Sequence, residues 1–269
     1  MKKLFALILV LLLCLLFAAC GKNADNGNKL ILGTSADYAP FEFMYADENG
    51  KMQYGGIDVS VAKAIAESMD KELQIENMSF DYLLTSLQKG DFDMVIAAME
   101  ADETRMKAVD FSDPYYTDYP AMILVKADKA DQFQSLDDFS GLSVGAQTAT
   151  TKEDIVKNDL PGANLVSLAL VTDLINELSY GKVDAVVLDG AVAMQYAKAN
   201  SDFAVADVSL GEVTTYCVAV AKGDPKGLLP GINEAIAKLT SDGSIDQFTA
   251  QAESLSGVWE EVSAEAPAD

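Results

Sequence analysis

The sequence predicts an α/β protein made of two similar lobes joined by extended crossing segments. Three observations predict it. Strand and helix signals alternate from residue 29 onward, the pattern of mainly parallel sheets. A motif recurs: "LQKGDFDMVI" from Leu87 and "LSYGKVDAVV" from Leu178 share Leu-x-x-Gly-x-(Phe/Val)-Asp-x-Val-(Ile/Val) at an offset of 91 positions, and the weaker pair "LILGT" at Leu30 and "LSVGA" at Leu142 occurs in the same order. Two extended segments, "YPAMILVKAD" and "TTYCVAVAKGD", each end in a lysine and a loop and can carry the chain between lobes.

The elements follow in order. "KLILGTS" reads as a strand, and "GIDVSVAKAIAESMD" as a helix with Asp58 as candidate N-cap and Val59, Ala62, Ile65 and Ala66 along one face. "ELQIEN" is a strand, "FDYLLTSLQKG" a helix closed by Gly90, and "FDMVIAA" a strand again. In each half a helix ending in glycine feeds a buried strand, with small or polar residues where that strand stops. Ligands of open α/β sheets bind at such carboxyl ends. If both extended segments cross, the first lobe comprises residues 28–124 rejoined by 218–258, with "DPKGLLPGINEAIAKL" and "SDGSIDQFTAQAE" as returning helices. The second lobe comprises 125–217, with hinge crossings at its ends. Residues 259–269 form an acidic tail without periodicity, expected to be frayed.

The first twenty residues set the compartment. Two lysines precede an apolar run that ends in small residues and Cys20, the grammar of a secretory signal, so 1–19 is read as a signal peptide. The run is short and lacks a basic flank on its far side, which argues against a permanent transmembrane helix. "FAAC" resembles a bacterial lipobox, with Phe17 where leucine is usual. Cys20 is therefore the expected lipidation site, and residues 20–28 a flexible tether to the outer face of the cell membrane. Cys14 leaves with the signal and Cys217 stands alone in an apolar run, so no disulfide framework is available. After cleavage 17 basic residues face 42 acidic ones, a net charge of −25, which argues against nucleic acid and against electrostatic attraction to anionic lipid.

Catalysis finds little support. The chain has no histidine, the commonest general base. No dinucleotide, phosphate-loop or metal-ligand signature occurs, so neither cofactor nor metal is expected and no residue is nominated as catalytic. Arg105 stands out among so many acids: read from the residues alone, it either pairs with Asp102, Glu103 or Asp110 on the surface or holds an anionic ligand.

Six segments occurring in order carry a resemblance: "YAPFEF", "GGIDVSVAKAIAE", "LLTSLQKGDFDMVIAAM", Arg105 with "VDFSDPYY", "VGAQTATT" and "GKVDAVVLDG". Over residues 30–250 the chain resembles the polar amino-acid (family 3) solute-binding proteins that serve ABC importers. The resemblance implies a periplasmic-binding-protein-like fold of type II, two hinge-linked lobes with the ligand cleft between them. It implies capture of an amino acid by a monomer and delivery to an ABC permease, outside the cytoplasm. A sensing module for a separate receptor, and a dehydratase on the same fold, are the alternatives.

By the same resemblance Arg105 meets the ligand α-carboxylate, which its planar fork of donors suits. Thr150 and Thr151, at the start of a helix, add donors to that carboxylate, with Ala149 where glycine is usual. Asp189 accepts the α-ammonium, its alternative being an N-cap for "GAVAMQYAKA". Tyr38, Phe41 and Phe80 pack around the ligand side chain, Phe41 being the readiest to be core instead. The strand end supplies Ala98, Met99 and Glu100, where Glu100 replaces a hydroxyl residue and either turns to Arg105 or meets a cationic part of the ligand. Ser35 stands where relatives that take basic amino acids carry aspartate, so the ligand side chain is left open.

Overall fold

The computed structural model describes residues 28–265. The signal peptide, Cys20 and nearly all of the tether lie outside the described residues.

Two five-stranded sheets repeat one plan. The first contains β1 (Lys29–Thr34), β5 (Glu72–Asn77), β6 (Met94–Val95), β7 (Val109–Pro120) and β13 (Val213–Ala221), in the order β5-β1-β6-β13-β7. The second contains β8 (Met122–Lys126), β9 (Ser143–Gln147), β10 (Asn164–Leu168), β11 (Ala185–Leu188) and β12 (Phe203–Val205), in the order β10-β9-β11-β8-β12. In both, three strands run parallel and the fourth is antiparallel, and that fourth strand follows directly after the chain has crossed over. A small sheet of β2 (Asp37–Tyr38), β3 (Glu42–Ala46) and β4 (Met52–Gly55) flanks the first lobe.

The helices are α1 (Ile57–Ser68), α2 (Phe80–Lys89), α3 (Glu103–Ala108), α4 (Thr151–Asp159), α5 (Val171–Ser179), α6 (Gly190–Ala199), α7 (Leu229–Ser241) and α8 (Ser244–Glu265). The apolar face read on α1 is wholly buried: Val59, Ala62, Ile65 and Ala66 are at most 1% exposed. Packing of such a face, more than propensity, holds a twelve-residue helix in place.

The recurring motif has one structural cause in both lobes. Gly90 and Gly181 take left-handed φ of 85° and 69° to turn the chain out of α2 and α5. The motif's aspartate then ties that turn to the neighbouring strand. Asp93 accepts from the Ile31 amide at 2.6 Å and Asp184 from the Ser143 amide at 3.0 Å, while each aspartate's own amide donates back to the same residue at 2.8 Å. The register that follows is also shared, with Gly33 opposite Val95 and Gly145 opposite Val186.

Four local expectations change. The N-cap of α1 is Gly56, whose φ of 118° and a Cβ that would stand 2.0 Å from the Phe41 carbonyl admit only glycine. Asp58 lies two residues on, wholly buried, and accepts from the Ala98 amide and the Tyr115 hydroxyl, both at 2.7 Å. "FDMVIAA" contributes only Met94–Val95 to the ladder, because the chain swings away to a left-handed Ala98 (φ 42°) that the Asp58 contact holds. The crossings also shift: β8 belongs to the second sheet and β13 to the first, so the chain changes lobe at residue 121 and between 206 and 212, not after 124 and 217. Lastly, α8 continues to Glu265, into the stretch expected to be a frayed tail.

Candidate functional site

In each sheet the strand order reverses direction of growth beside the first strand, and open α/β sheets present their binding crevice at that switch point. The two crevices face each other. Ser35 follows β1, Ala97, Ala98 and Glu100 follow β6, Gln147 ends β9 and Asp189 follows β11; all six line one cleft. Tyr38, Glu42, Phe80, Arg105, Thr150, Thr151 and Lys152 complete its wall.

Arg105 sits on α3, started by Asp102, whose carboxylate accepts from the Thr104 and Arg105 amides at 2.8 Å. The same carboxylate holds Arg105 Nε at 3.2 Å, so the ion pair read as an alternative to ligand binding exists alongside a place in the cleft. One terminal nitrogen donates to the Glu100 carbonyl at 3.1 Å and the other reaches across to the Ala149 carbonyl of the second lobe at 3.2 Å. The guanidinium lies 5.3 Å from the centre of the Phe80 ring, close enough for cation–π attraction. Of its five N–H donors three are engaged in these contacts, which leaves two for a ligand.

Across the cleft, Asp189 occupies the N-cap position of α6, yet its side chain makes no capping hydrogen bond. It accepts from the Tyr38 hydroxyl at 2.7 Å, and its second oxygen stands against the Lys152 ammonium. Thr150 likewise sits at the N-cap of α4 without capping; its hydroxyl donates to the Gln147 carbonyl at 2.7 Å. Ala149 takes the left-handed φ (64°) that its glycine counterpart would adopt freely.

Lys152 is only 5% exposed and also binds Glu100 at 2.8 Å and the Thr151 hydroxyl at 3.2 Å. Burial alone raises a carboxyl pKa; for Glu100 the adjacent ammonium, with Thr151 and Arg105, outweighs burial and holds it below the usual value. Burial pushes the Lys152 value down, but Asp189 and Glu100 together lift it above normal, so the ammonium stays charged.

Beneath the cleft lies an acidic pair. Glu42, 1% exposed, is pushed well above the carboxylate range by burial and then by Asp58, Asp37 and Asp189. It hydrogen-bonds Asp58, itself raised to about 6 chiefly by burial. Only a shared proton makes such a contact favourable. One Glu42 oxygen has no hydrogen-bond partner among the described residues.

Eight of the ten expected ligand contacts therefore meet: Tyr38, Phe80, Ala98, Glu100, Arg105, Thr150, Thr151 and Asp189. Phe41 and Met99 do not. Both side chains are 0% exposed; the Phe41 ring packs edge-on to Tyr116 and Tyr216, and Met99 joins the core around Leu83 and Leu87. Ala97, Glu42, Gln147 and Lys152 line the cavity as well, outside the expected set. Glu42 and Gln147 lie within the motifs that carry the resemblance, but a burying fold is needed to see their orientation. Lys152, directly after two threonines in a chain poor in cations, was the available signal.

Further contacts cross between lobes. Asp37 accepts from the Val171 amide at the start of α5 at 2.7 Å, and Gln195 on α6 meets Ser256 on α8 at 2.7 Å. Asp118, near the end of β7, accepts from the Tyr216 hydroxyl at 2.7 Å and from the Ala191 amide of α6 at 3.1 Å, and so ties the crossing strand to the second lobe.

Comparison with known proteins agrees with this architecture. The arginine-binding extracellular protein ArtP of Bacillus subtilis is 32% identical over 253 residues, covering 90% of this chain and 95% of the relative. The glutamine-binding protein GlnH of the same species is 27% identical, covering 92% and 96%. Among solved structures, an amino acid ABC transporter substrate-binding protein from Streptococcus pneumoniae, bound to L-arginine, superposes with a TM-score of 0.82 at 38% identity, covering 86% of this chain and 95% of that one. Residues 30–252 match the description of the bacterial extracellular solute-binding proteins, family 3, and the chain belongs to that family.

Proposed function

We propose that the protein captures an amino acid with a cationic side chain, arginine first among them, and delivers it to an ABC importer. The observation that carries this reading is the cavity's charge layout. Two uncommitted Arg105 donors suit an α-carboxylate, to which the uncapped start of α4 adds backbone donors. Asp189 and the Tyr38 hydroxyl suit an α-ammonium. Tyr38, Phe80 and Glu42 line the same cavity, and the unpartnered Glu42 oxygen suits a guanidinium or ammonium. Relatives named for arginine support the same choice.

A ligand so held touches both lobes, which stabilises the closed arrangement and offers the permease a surface that the open form lacks. The ligand is released unchanged. The protein acts as a monomer, held outside the cytoplasm by lipid on Cys20; Cys20→Ser should free it from membranes, and persistent tight association would reject that anchor.

The test is a thermal-shift and calorimetric screen of arginine, lysine, ornithine, histidine, glutamine and cystine on protein unfolded and refolded to strip bound ligand. Arginine at 100 times its dissociation constant should add about 2.7 kcal/mol of stability. A response to glutamine or cystine alone would replace the cationic assignment, and silence from all six would reject the amino-acid reading.

A further inference from the structure

Glu100 is an awkward neighbour for the ligand this cleft is proposed to bind. Its backbone carbonyl is held by Arg105, the same guanidinium that would grip the ligand's carboxylate, so the Glu100 side chain stands near where a second anion must enter. Its own side chain is only 15% exposed, and Asp189, 3% exposed, lies on the facing lobe. Carboxylates brought together away from water repel one another strongly.

Lys152 lies between them. Its ammonium has three N–H donors, and three acceptors surround it: Glu100, Asp189 and the Thr151 hydroxyl. No donor is left for a ligand. Asp189 keeps acceptor capacity beyond Tyr38 and Lys152, because a carboxylate offers about four lone-pair sites. Lys152 therefore does not contact the ligand's anion; it joins the acids of two lobes, Glu100 after β6 and Asp189 after β11, through one buried charge.

We propose that Lys152 is a positioning residue for ligand capture: it neutralises Glu100 when the lobes meet, and so lets the cleft accept an α-carboxylate beside a resident one. The contact spans the lobes, so it forms only on closure, and closure is the step the ligand drives. It rests on the amino-acid reading above, but not on which side chain the ligand carries.

The experiment is arginine titration by calorimetry on the purified protein and three variants, Lys152→Met, Lys152→Gln and Glu100→Ser/Lys152→Met, between pH 5 and 8. Removing one member of a buried charge pair should weaken binding by at least about 30-fold at pH 7.5. The loss should shrink toward pH 5 as the uncompensated Glu100 takes up a proton, a trend that damaged packing would not produce. The double variant should bind at least about tenfold more tightly than Lys152→Met, because the unpaired anion is gone. Lys152→Gln carries the test if the Met variant does not fold. Binding by the single variants as tight as wild type, or tighter, would overturn the proposal, as would a loss independent of pH with no recovery in the double variant. Failure of the wild-type protein to bind any amino acid would instead sink the reading on which it rests.

Discussion

Replacing Arg105 tests the centre of the site most directly, because its donors can be counted. Three of five N–H groups are engaged by Asp102, the Glu100 carbonyl and the Ala149 carbonyl, and two are left for a carboxylate. Hydrogen bonds to charged groups contribute about 1.5–3 kcal/mol each, so Arg105→Ala should cost at least about 3–4 kcal/mol of binding, or roughly 150- to 850-fold in affinity. Arg105→Lys keeps the charge but loses the planar fork; one lost bond predicts a loss of at least roughly tenfold. The folded, ligand-free protein loses less. The Arg105–Asp102 pair is local to one turn, with Asp102 a third exposed, and the Ala149 contact involves a single carbonyl. A cost near 1 kcal/mol would lower the melting temperature by about 2–4 °C in a domain of this size. Isothermal titration with arginine and calorimetric melting of the stripped protein read the two effects separately. Near-wild-type affinity in both variants, or a fall in melting temperature beyond about 10 °C, would make Arg105 a structural residue and refute the reasoning.

Three further outcomes are expected. Asp37, Asp58 and Asp118 are each raised to about 6, burial being the first cause in all three. The folded state therefore binds protons more tightly than the unfolded one between roughly pH 4 and 6, and stability must fall as pH rises through that window. Glu100, lowered by Lys152, opposes this only below the ordinary glutamate value. The melting temperature should be higher at pH 5 than at pH 7.5, and Asp118→Asn should flatten the trend; a maximum at pH 7.5 would contradict it. Arginine entering beside Glu42 should displace the proton it shares with Asp58 near Asp37, Asp189 and Tyr115, so that binding tightens as pH rises. Calorimetry in two buffers of different ionisation heat should then register proton release, absent in Glu42→Gln; equal heats in both buffers would reject it. Gly190→Ala would place a Cβ 2.6 Å from the Pro120 carbonyl and from Tyr119 Cβ, where the crossing strand passes over α6. It should destabilise by about 1–3 kcal/mol in thermal melts, and an unchanged melting temperature would mean that the crossing yields freely.

Much of this protein is written locally. The glycine that ends α2 and α5, the aspartate that follows it and the apolar pair after that recur 91 positions apart because each lobe must turn the same helix into the same strand. The face of α1 repeats at helical spacing because one side must be dry. Arg105, Asp189 and the two threonines could be placed by their motifs, since each stands where an element begins or ends.

What the sequence left open depends on which segments meet. An extended apolar run such as "AMILV" carries no mark of its partner, so only pairing with β11 assigned it to the second lobe. "FDYLLTSL" and "YAPFEF" both offer aromatic rings, but one ring reaches the cleft and another the core according to how strands pack against them. Asp58 reads as a helix cap by position and serves instead to hold Ala98, forty residues away. Lys152 gains its meaning from Glu100 and Asp189, which stand 52 and 37 positions from it in the chain and on different lobes. Local sequence determines elements through backbone sterics and periodic burial. Charge pairing across a cleft depends on three-dimensional proximity, which the packing of the two lobes supplies.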